Sequence, residues 1–447
     1  MKTIHLPAKG CAVTLPEGFS AGFGRVDITP KEMPILTFGG KIGETIHSHV
    51  YATCASVSDG ENVALLFTVD VRQATPEIVG ILRKKAMEIA GVPQDLIFVN
   101  TTHNHSSPDI GRTHDPVVKK WLDLYASLIP NLIEDAIFDL APAKIFIGTA
   151  KTDSLNFVRR YRLTDGSYWA YHMGPNKADF ESHETEADPE MRAIRFERSG
   201  KKNIVLVNWQ CHAASASSQN PDWLSADFIH EFRKGAEEQF GVHFAYFQGG
   251  CANISSGSRI ESELRAKTID EQGKMLVPVL GEALSDMREV KSGPVRGISL
   301  LYPGKTRKVT PEQVALAEKI NQIEDRQERI LASRANGFLS LKDVGCCLRV
   351  AKLEDTYDIP LCAISFGDVA FGGAGYEMFD THAMYVRTVS PYKMTFMCGY
   401  TNDGRSYIPS SFSYPHSGYE VFNCNFVPGT GEVCANELVY LLRKIKG

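Results

Sequence analysis

The sequence predicts an α/β protein in which mixed β-sheets carry flanking helices and the active site lies in loops at strand ends. Two observations lead there. Runs rich in β-branched and aromatic residues, bounded by Gly, Asp, Asn and Pro, fill much of the first half, and helical patterns separate several of them. Side chains with metal or acid/base chemistry then recur just beyond apolar runs, where α/β folds place their ligands.

In chain order the strand-like runs are HVYATCASVS (49–58), NVALLFTVD (62–70), DLIFVNTTH (95–103), AKIFIGTA (143–150), RAIRFE (192–197) and KNIVLVNWQCH (202–212). TPEIVGILRKKAMEIAG (75–91) reads as a helix, with Thr75 as its cap and Pro76 in the first position, where a missing N–H loses no partner. PVVKKWLDLYASLIPNLIEDAIFDL (116–140) holds another helix or two. The most charged helical segment is TPEQVALAEKINQIEDRQERILASR (310–334). Its thin stripe of Val314, Leu316, Ile320, Ile323, Ile330 and Leu331 suits surface packing on the parent core better than a partner. No repeat, low-complexity tract or Pro/Gly linker divides the chain. A single catalytic domain over 1–447 is expected, with a helical embellishment at 305–340.

Composition narrows the class. Hydrophobic residues make up 43% and charged residues 23%, as in an ordinary globular protein, and a net charge of −5 offers no field for nucleic acid or anionic membrane. No run of about 18 apolar residues marks a membrane span, and the opening MKTIHLPAKGCAVTLPEGF lacks the apolar stretch of a signal peptide. The ten cysteines form no CxxC pair, which fits free thiols in a reducing cytoplasm. The expectation is a cytoplasmic protein acting on a small molecule, with room for a homo-oligomer. YPGKTRK (302–308) is no phosphate loop, since Ser299 holds the place of its first glycine, and HExxH is absent.

Four segments carry the candidate chemistry. In NTTHNHSSPD (100–109), His103 and His105 would project on one side of an extended stretch, roughly 6–7 Å apart. That suits one metal ligand beside an acid/base partner as well as a chelate. In NIVLVNWQCHAAS, His212 follows a strand in the same manner, and Cys211 faces the other way. In VAFGGAGYEMFDTHAMYVR (369–387), Glu377 sits where a helix is expected to begin, which is also comfortable for a carboxylate with no further role. CGYTNDGRSYIPSSFSYPHSGYEVFN (398–423) reads as a functional loop with Tyr400, Tyr407, Tyr414 and Tyr419.

In this order the segments resemble the catalytic domain of the neutral (non-lysosomal) ceramidases over nearly the whole chain. AGFGRVDITP (21–30) is similar to that family's opening strand, THNHSSP to its THTHSGP, and NWQCH to its second histidine segment. GGAGYE and SYIPSSFSYPHSGYE resemble its carboxylate and tyrosine segments, with Tyr407 and Tyr419–Glu420 at the family's interval of twelve. The resemblance implies a zinc ion held by His103, His212, Glu377 and Tyr407. It also implies that His105, Tyr419 and Arg159 meet the scissile amide, with Arg160 as a competitor for the arginine role. Asp70 falls near the ligand-contacting loop, or is a turn residue; Gly39 and Gly40 are expected to line the cleft floor.

The pattern breaks at FQGGCANISS (247–256). Gly249 stands where the family's QSNAGDVSP segment is read to carry a nucleophilic serine, with Gly250 beside it; Cys251 lies two residues on, and Ser255 and Ser256 match later positions. The expected chemistry is therefore attack by metal-activated water on a small polar amide, ester or lactone, with Gly249 and Gly250 opening room near the reacting carbon. The chain also shows no carboxy-terminal β-sandwich, which argues against a membrane sphingolipid as substrate. Two other classes fit the same residues: a binding protein that kept the cleft, and a zinc-assisted, non-hydrolytic enzyme acting on a sugar acid.

Overall fold

The computed structural model describes residues 2–170, 179–258, 260, 268–338, 340–404 and 406–446. Every strand-like run of the first half becomes a strand. Tyr51–Ser58, Val63–Val69, Ile97–Thr101, Ala141–Lys151, Glu190–Arg198 and Ile204–Trp209 join Ser20–Asp27, His243–Gln248 and Arg288–Val290 in one nine-stranded sheet. The order runs His243–Gln248, Ile204–Trp209, Glu190–Arg198, Ala141–Lys151, Ser20–Asp27, Tyr51–Ser58, Val63–Val69, Ile97–Thr101, with Arg288–Val290 paired to Ala141–Lys151. Only the two outermost pairs are parallel: Ile204–Trp209 with His243–Gln248, and Val63–Val69 with Ile97–Thr101.

Those two edges meet. Thr68 Oγ1 donates to the Tyr246 carbonyl at 2.6 Å, and Gln248 N donates to Asn100 Oδ1 at 2.8 Å. The long sheet thus curls until its parallel pairs lie side by side. A second sheet of Val295–Lys305, Thr356–Phe366, Val369–Ala374 and Met394–Cys398 ends in a third parallel pair, Val369–Ala374 with Met394–Cys398. It packs on the first through Phe371, whose ring centroid lies 5.5 Å from Phe98, 5.3 Å from Phe247 and 4.9 Å from Phe396. All four rings are fully buried, each contributing about 1.5–3 kcal/mol relative to exposure.

Helices cover the outer faces. Pro116–Phe138 is one helix despite Pro130 inside it, and it lies so close to Ser20–Asp27 that a Cβ on Gly22 would come 2.2 Å from the Ala136 carbonyl. Pro76–Ala90 begins at Pro76 as expected, although the Thr75 hydroxyl makes no capping bond. The charged segment differs from its expectation: it breaks into Pro311–Asn321 and Arg326–Ala335, because the Asp325 side chain caps a new start by accepting from Glu328 N. A third helix, Leu341–Val350, closes a small core of Ala317, Ile320, Val344 and Cys347 with them. Part of the apolar stripe therefore packs within this helical cluster, while Leu331 stays 66% exposed. Among the described residues no helix is long and apolar enough to cross a membrane. All ten cysteines are free, and only Cys11 is exposed.

Candidate metal centre

The three parallel pairs bring their carboxy-terminal ends to one place, and two asparagines tie them there. Asn100 accepts from Gln248 N while its Nδ2 donates to Gly399 O at 2.7 Å and Thr401 Oγ1 at 3.2 Å. Asn208 Nδ2 donates to Phe247 O at 3.0 Å and Met397 O at 3.2 Å. Loops leaving these ends hold His103, His212 and Tyr400. His103 takes a left-handed backbone (φ 57°), a conformation a non-glycine residue keeps only when its surroundings hold it there. The next turn is secured by His105 N donating to Ala213 O at 2.9 Å, which lays the two histidine loops together.

The imidazole tautomers follow from their partners. His103 Nδ1 lies 2.8 Å from the Arg72 carbonyl and His212 Nδ1 lies 2.6 Å from the Cys251 carbonyl. A carbonyl only accepts, so each Nδ1 carries the proton and each Nε2 presents a lone pair. Those two Nε2 atoms face each other at 3.1 Å, and His105 Nε2 lies 3.1 Å from His103 Nε2. Burial pushes the pKa values of all three imidazoles well below the ordinary histidine value. Lone pairs so placed, with no second proton between them, call for a cation. Backbone carbonyls behind a ligand's Nδ1 are the usual way a metal-binding histidine is oriented.

Glu377 and Tyr407 complete the cluster through a two-residue parallel pairing, Glu377–Met378 with Tyr407–Ile408, in which they are direct partners and share a face. Glu377 therefore sits in a short strand, and the helix Asp380–Val389 starts only after it. Its Oε2 lies 3.6 Å from His103 Nε2 and 3.8 Å from His212 Nε2; the Tyr407 hydroxyl lies 3.5 Å from His212 Nε2. Burial raises the Glu377 carboxyl to about 7, against a hydrogen bond from Tyr407 that favours its charge. Carboxylate and imidazoles are donors that zinc accepts, and the family resemblance alone implies the phenol as a further ligand. The fit is good on this structure's own bonding.

A cavity of about 540 Å³ opens above these groups, with His105, His212, Arg159, Tyr407, Tyr419 and Gly39 in its wall. Arg159 Nη2 donates to Ala252 O at 2.7 Å and to the Tyr407 hydroxyl at 3.3 Å, and its Nε to Glu420 Oε1 at 2.9 Å. Burial works against that cation, but Tyr407 and Glu420 outweigh it and hold the guanidinium pKa well above its usual value. Arg160, the competitor, turns the other way to Glu184, Glu420 and the Ser417 carbonyl. Neighbours in extended chain face opposite sides, so only one arginine could reach the cleft.

Four expectations are corrected. Asp70 spends both carboxylate oxygens on Arg233 (2.9 and 2.7 Å) and one also on Tyr51 N, so it braces strands instead of meeting a ligand. Gly40 is not in the cavity wall, and a Cβ there would approach Arg112. Gly249 is buried beneath the site: a Cβ there would meet Gln210 at 3.1 Å, and its N–H is used by the Trp209 carbonyl. Gly250 is not in the cavity wall, and a Cβ there would come 2.9 Å from the carbonyl of Phe379. The Cys251 thiol is also out of the cavity, bonded to the Tyr400 hydroxyl at 3.2 Å, and burial pushes its pKa well up. By contrast, Ser255 and Ser256 do stand in the cavity wall.

The structure also shows what the sequence reading left without a role. Tyr400 stacks on the His103 ring at 3.9 Å and places its hydroxyl 3.5 Å from Glu377 Oε2, and Glu420 anchors both arginines. Their only sequence signal was membership of the tyrosine-rich segment.

No protein-family model matches the chain, and no curated protein matches it in sequence. Solved structures do. The chain is similar to neutral ceramidase from Pseudomonas aeruginosa, with a TM-score of 0.72 and 16% identity over 96% of this chain and 75% of that one. It is also similar to a ceramidase complexed with C2, with a TM-score of 0.70 and 15% identity over the same shares. At such identity the likeness concerns the fold, and the fold is ceramidase-like.

Proposed function

We propose that this chain, a single catalytic domain over 1–447 with a ceramidase-like fold, is a zinc-dependent hydrolase of a small polar amide, ester or lactone. The observation that carries the reading is the pair of buried Nε2 lone pairs 3.1 Å apart, each fixed by a carbonyl behind its ring, with Glu377 and Tyr407 beside them. His103, His212, Glu377 and Tyr407 are the proposed ligands, and a bound zinc ion would supply Lewis acidity toward a carbonyl oxygen and acidify water.

The remaining groups act on the substrate. His105, at the cavity wall and with its Nε2 directed to the cluster, holds or passes a proton at the scissile group. Arg159 and the Tyr419 hydroxyl donate to the oxyanion as it develops; Arg159 is already fixed by Glu420 and Ala252 O, so little reorganisation is needed. Tyr419→Phe should keep stoichiometric zinc and lower kcat by about 100- to 1000-fold, the loss of one oxyanion donor; an unchanged rate in a stopped assay removes the tyrosine from this role.

Water is the proposed nucleophile. A serine at 249 would point at Gln210, so Gly249→Ser should give no gain in turnover. Ser255→Ala tests the hydroxyl that does line the cavity. It should leave kcat within about threefold, as expected for a group outside the bond-making step. A loss above a hundredfold, with zinc retained, would make Ser255 the nucleophile. The whole reading is tested by hydrolysis of a panel of N-acyl, ester and lactone compounds. Activity should vanish with chelator and return with zinc; a folded, zinc-loaded chain inert on the entire panel overturns it.

A further inference from the structure

We propose that the cavity selects a small, hydroxyl-bearing carboxylate, and that Lys41 is the residue that recognises the carboxylate. The inference rests on the hydrolase reading of the same site and names its substrate class.

The charge of the wall is the first reason. The chain carries a net charge of −5, yet the described residues lining the cavity include two side-chain cations, Lys41 and Arg159, and no aspartate or glutamate. Arg159 is already matched by Glu420. Lys41 is not matched: its Nζ donates to the Ser217 carbonyl at 3.1 Å, and it has no carboxylate partner among the described residues. An ammonium has three donors, so two remain for a ligand. A third cation, Arg72, stands behind the wall with its guanidinium 4.0 Å from the Phe38 ring centroid; it makes no ion pair among the described residues, although its charge also favours ionised Glu377. A low-dielectric cleft lined by one sign of charge concentrates ligands of the opposite sign.

Position is the second reason. Lys41 follows the tight turn Phe38–Gly40, in which Gly39 and Gly40 have φ of 81° and 75°. The same turn presses the Phe38 ring edge-on to His105 at a centroid distance of 4.8 Å. Lys41 thereby lines the same cavity as the candidate acid/base group His105 and the proposed oxyanion donors Arg159 and Tyr419.

The third reason is what an acyl chain would meet. Ser215, Ser217, Ser218, Ser255, Ser256 and Ser258 all lie in the wall. Among the described residues of the wall, Phe38 and Ala214 are the only apolar side chains apart from the tyrosine rings. A buried methylene gains about 0.8 kcal/mol only against apolar surface. Hydroxyls find partners here instead, and those of Ser217 and Ser218 have none within the described chain.

The test uses the zinc-loaded full chain and two matched probes, D-gluconate and its uncharged counterpart D-glucitol, measured by calorimetric titration and by competition against any panel substrate. Gluconate should bind at least about tenfold tighter, as for one charge-assisted bond, and the preference should weaken with salt. Lys41→Met should reduce the gluconate-over-glucitol ratio by about tenfold, and Lys41→Arg should restore most of it; comparison across variants cancels any contribution of the metal to gluconate binding. A ratio near one in the parent chain, a ratio indifferent to Lys41→Met, or no gluconate binding overturns the inference. If neutral amides or lactones are hydrolysed while the ratio is one, only the carboxylate preference falls. If the ratio depends on Lys41 while nothing in the panel reacts, the hydrolase reading falls and the anion site stands.

Discussion

His212→Ala should strip the chain of metal and activity together. Bound zinc should fall from about one ion per chain to below about a tenth, and turnover should drop by at least three orders of magnitude, as for loss of a direct ligand rather than of its support. The geometry explains the severity. His212 Nε2 is near His103, Glu377 and Tyr407 at once, at 3.1, 3.8 and 3.5 Å, so its loss removes a donor that touches every other proposed ligand. Its ring is held by the Cys251 carbonyl, which keeps a second donor in Ile254 N at 2.9 Å, so its removal leaves no buried acceptor unpaired there. The fold should survive, because alanine adds nothing and the loops remain bonded through His105 N and Ala213 O. Elemental analysis of the purified variant beside its far-ultraviolet circular dichroism decides the matter; stoichiometric zinc would remove His212 from the ligand set.

The second large effect is on stability. Glu420 is fully buried and its two oxygens accept from Arg159 Nε and Arg160 Nη1, both at 2.9 Å. Glu420→Ala leaves two buried guanidinium groups short of a counter-charge, which costs about 3–5 kcal/mol when one partner of a buried pair is removed. Arg160 keeps Glu184, so the chain should still fold. Arg159 keeps only neutral partners, Tyr407 and the Ala252 carbonyl, among the bonds described above, and should lose its fixed aim into the cavity. Denaturant unfolding should therefore show the full loss, and kcat should fall while zinc stays bound. Glu420→Gln, which keeps the shape and one acceptor, should lie between the two. A variant as stable as the parent would mean that the pair is dispensable.

Strands were legible because apolar runs of five to nine residues have few alternatives, and those that carry His103 and His212 stand where expected. The candidate ligands were legible through the family resemblance, and the structure brings the four together. What failed was direction. Gly249, Gly250 and Asp70 are near the site in sequence, but which way a backbone turns after a strand depends on distant contacts, here with Gln210, Phe379 and Arg233. The break between Asn321 and Arg326 was readable in principle, since Asp325 three residues before Glu328 is a helix-start pattern, but the continuous charge pattern masked it. Lys41 and the serines drew no attention because single lysines and serines are common on any surface.

Asn100 has a wider consequence. By joining three strand ends from far-separated parts of the chain, it makes the metal centre a product of the finished tertiary frame. The proposed ligands at 103 and 407 are separated by roughly 300 residues, so an ion gathering them in the unfolded chain would have to meet a loop-closure cost that the assembled frame has already met. An ion entering such a frame acts as a rivet, not a seed: it arrives last, locks what is already assembled, and adds its binding free energy to the resistance of the whole chain to unfolding.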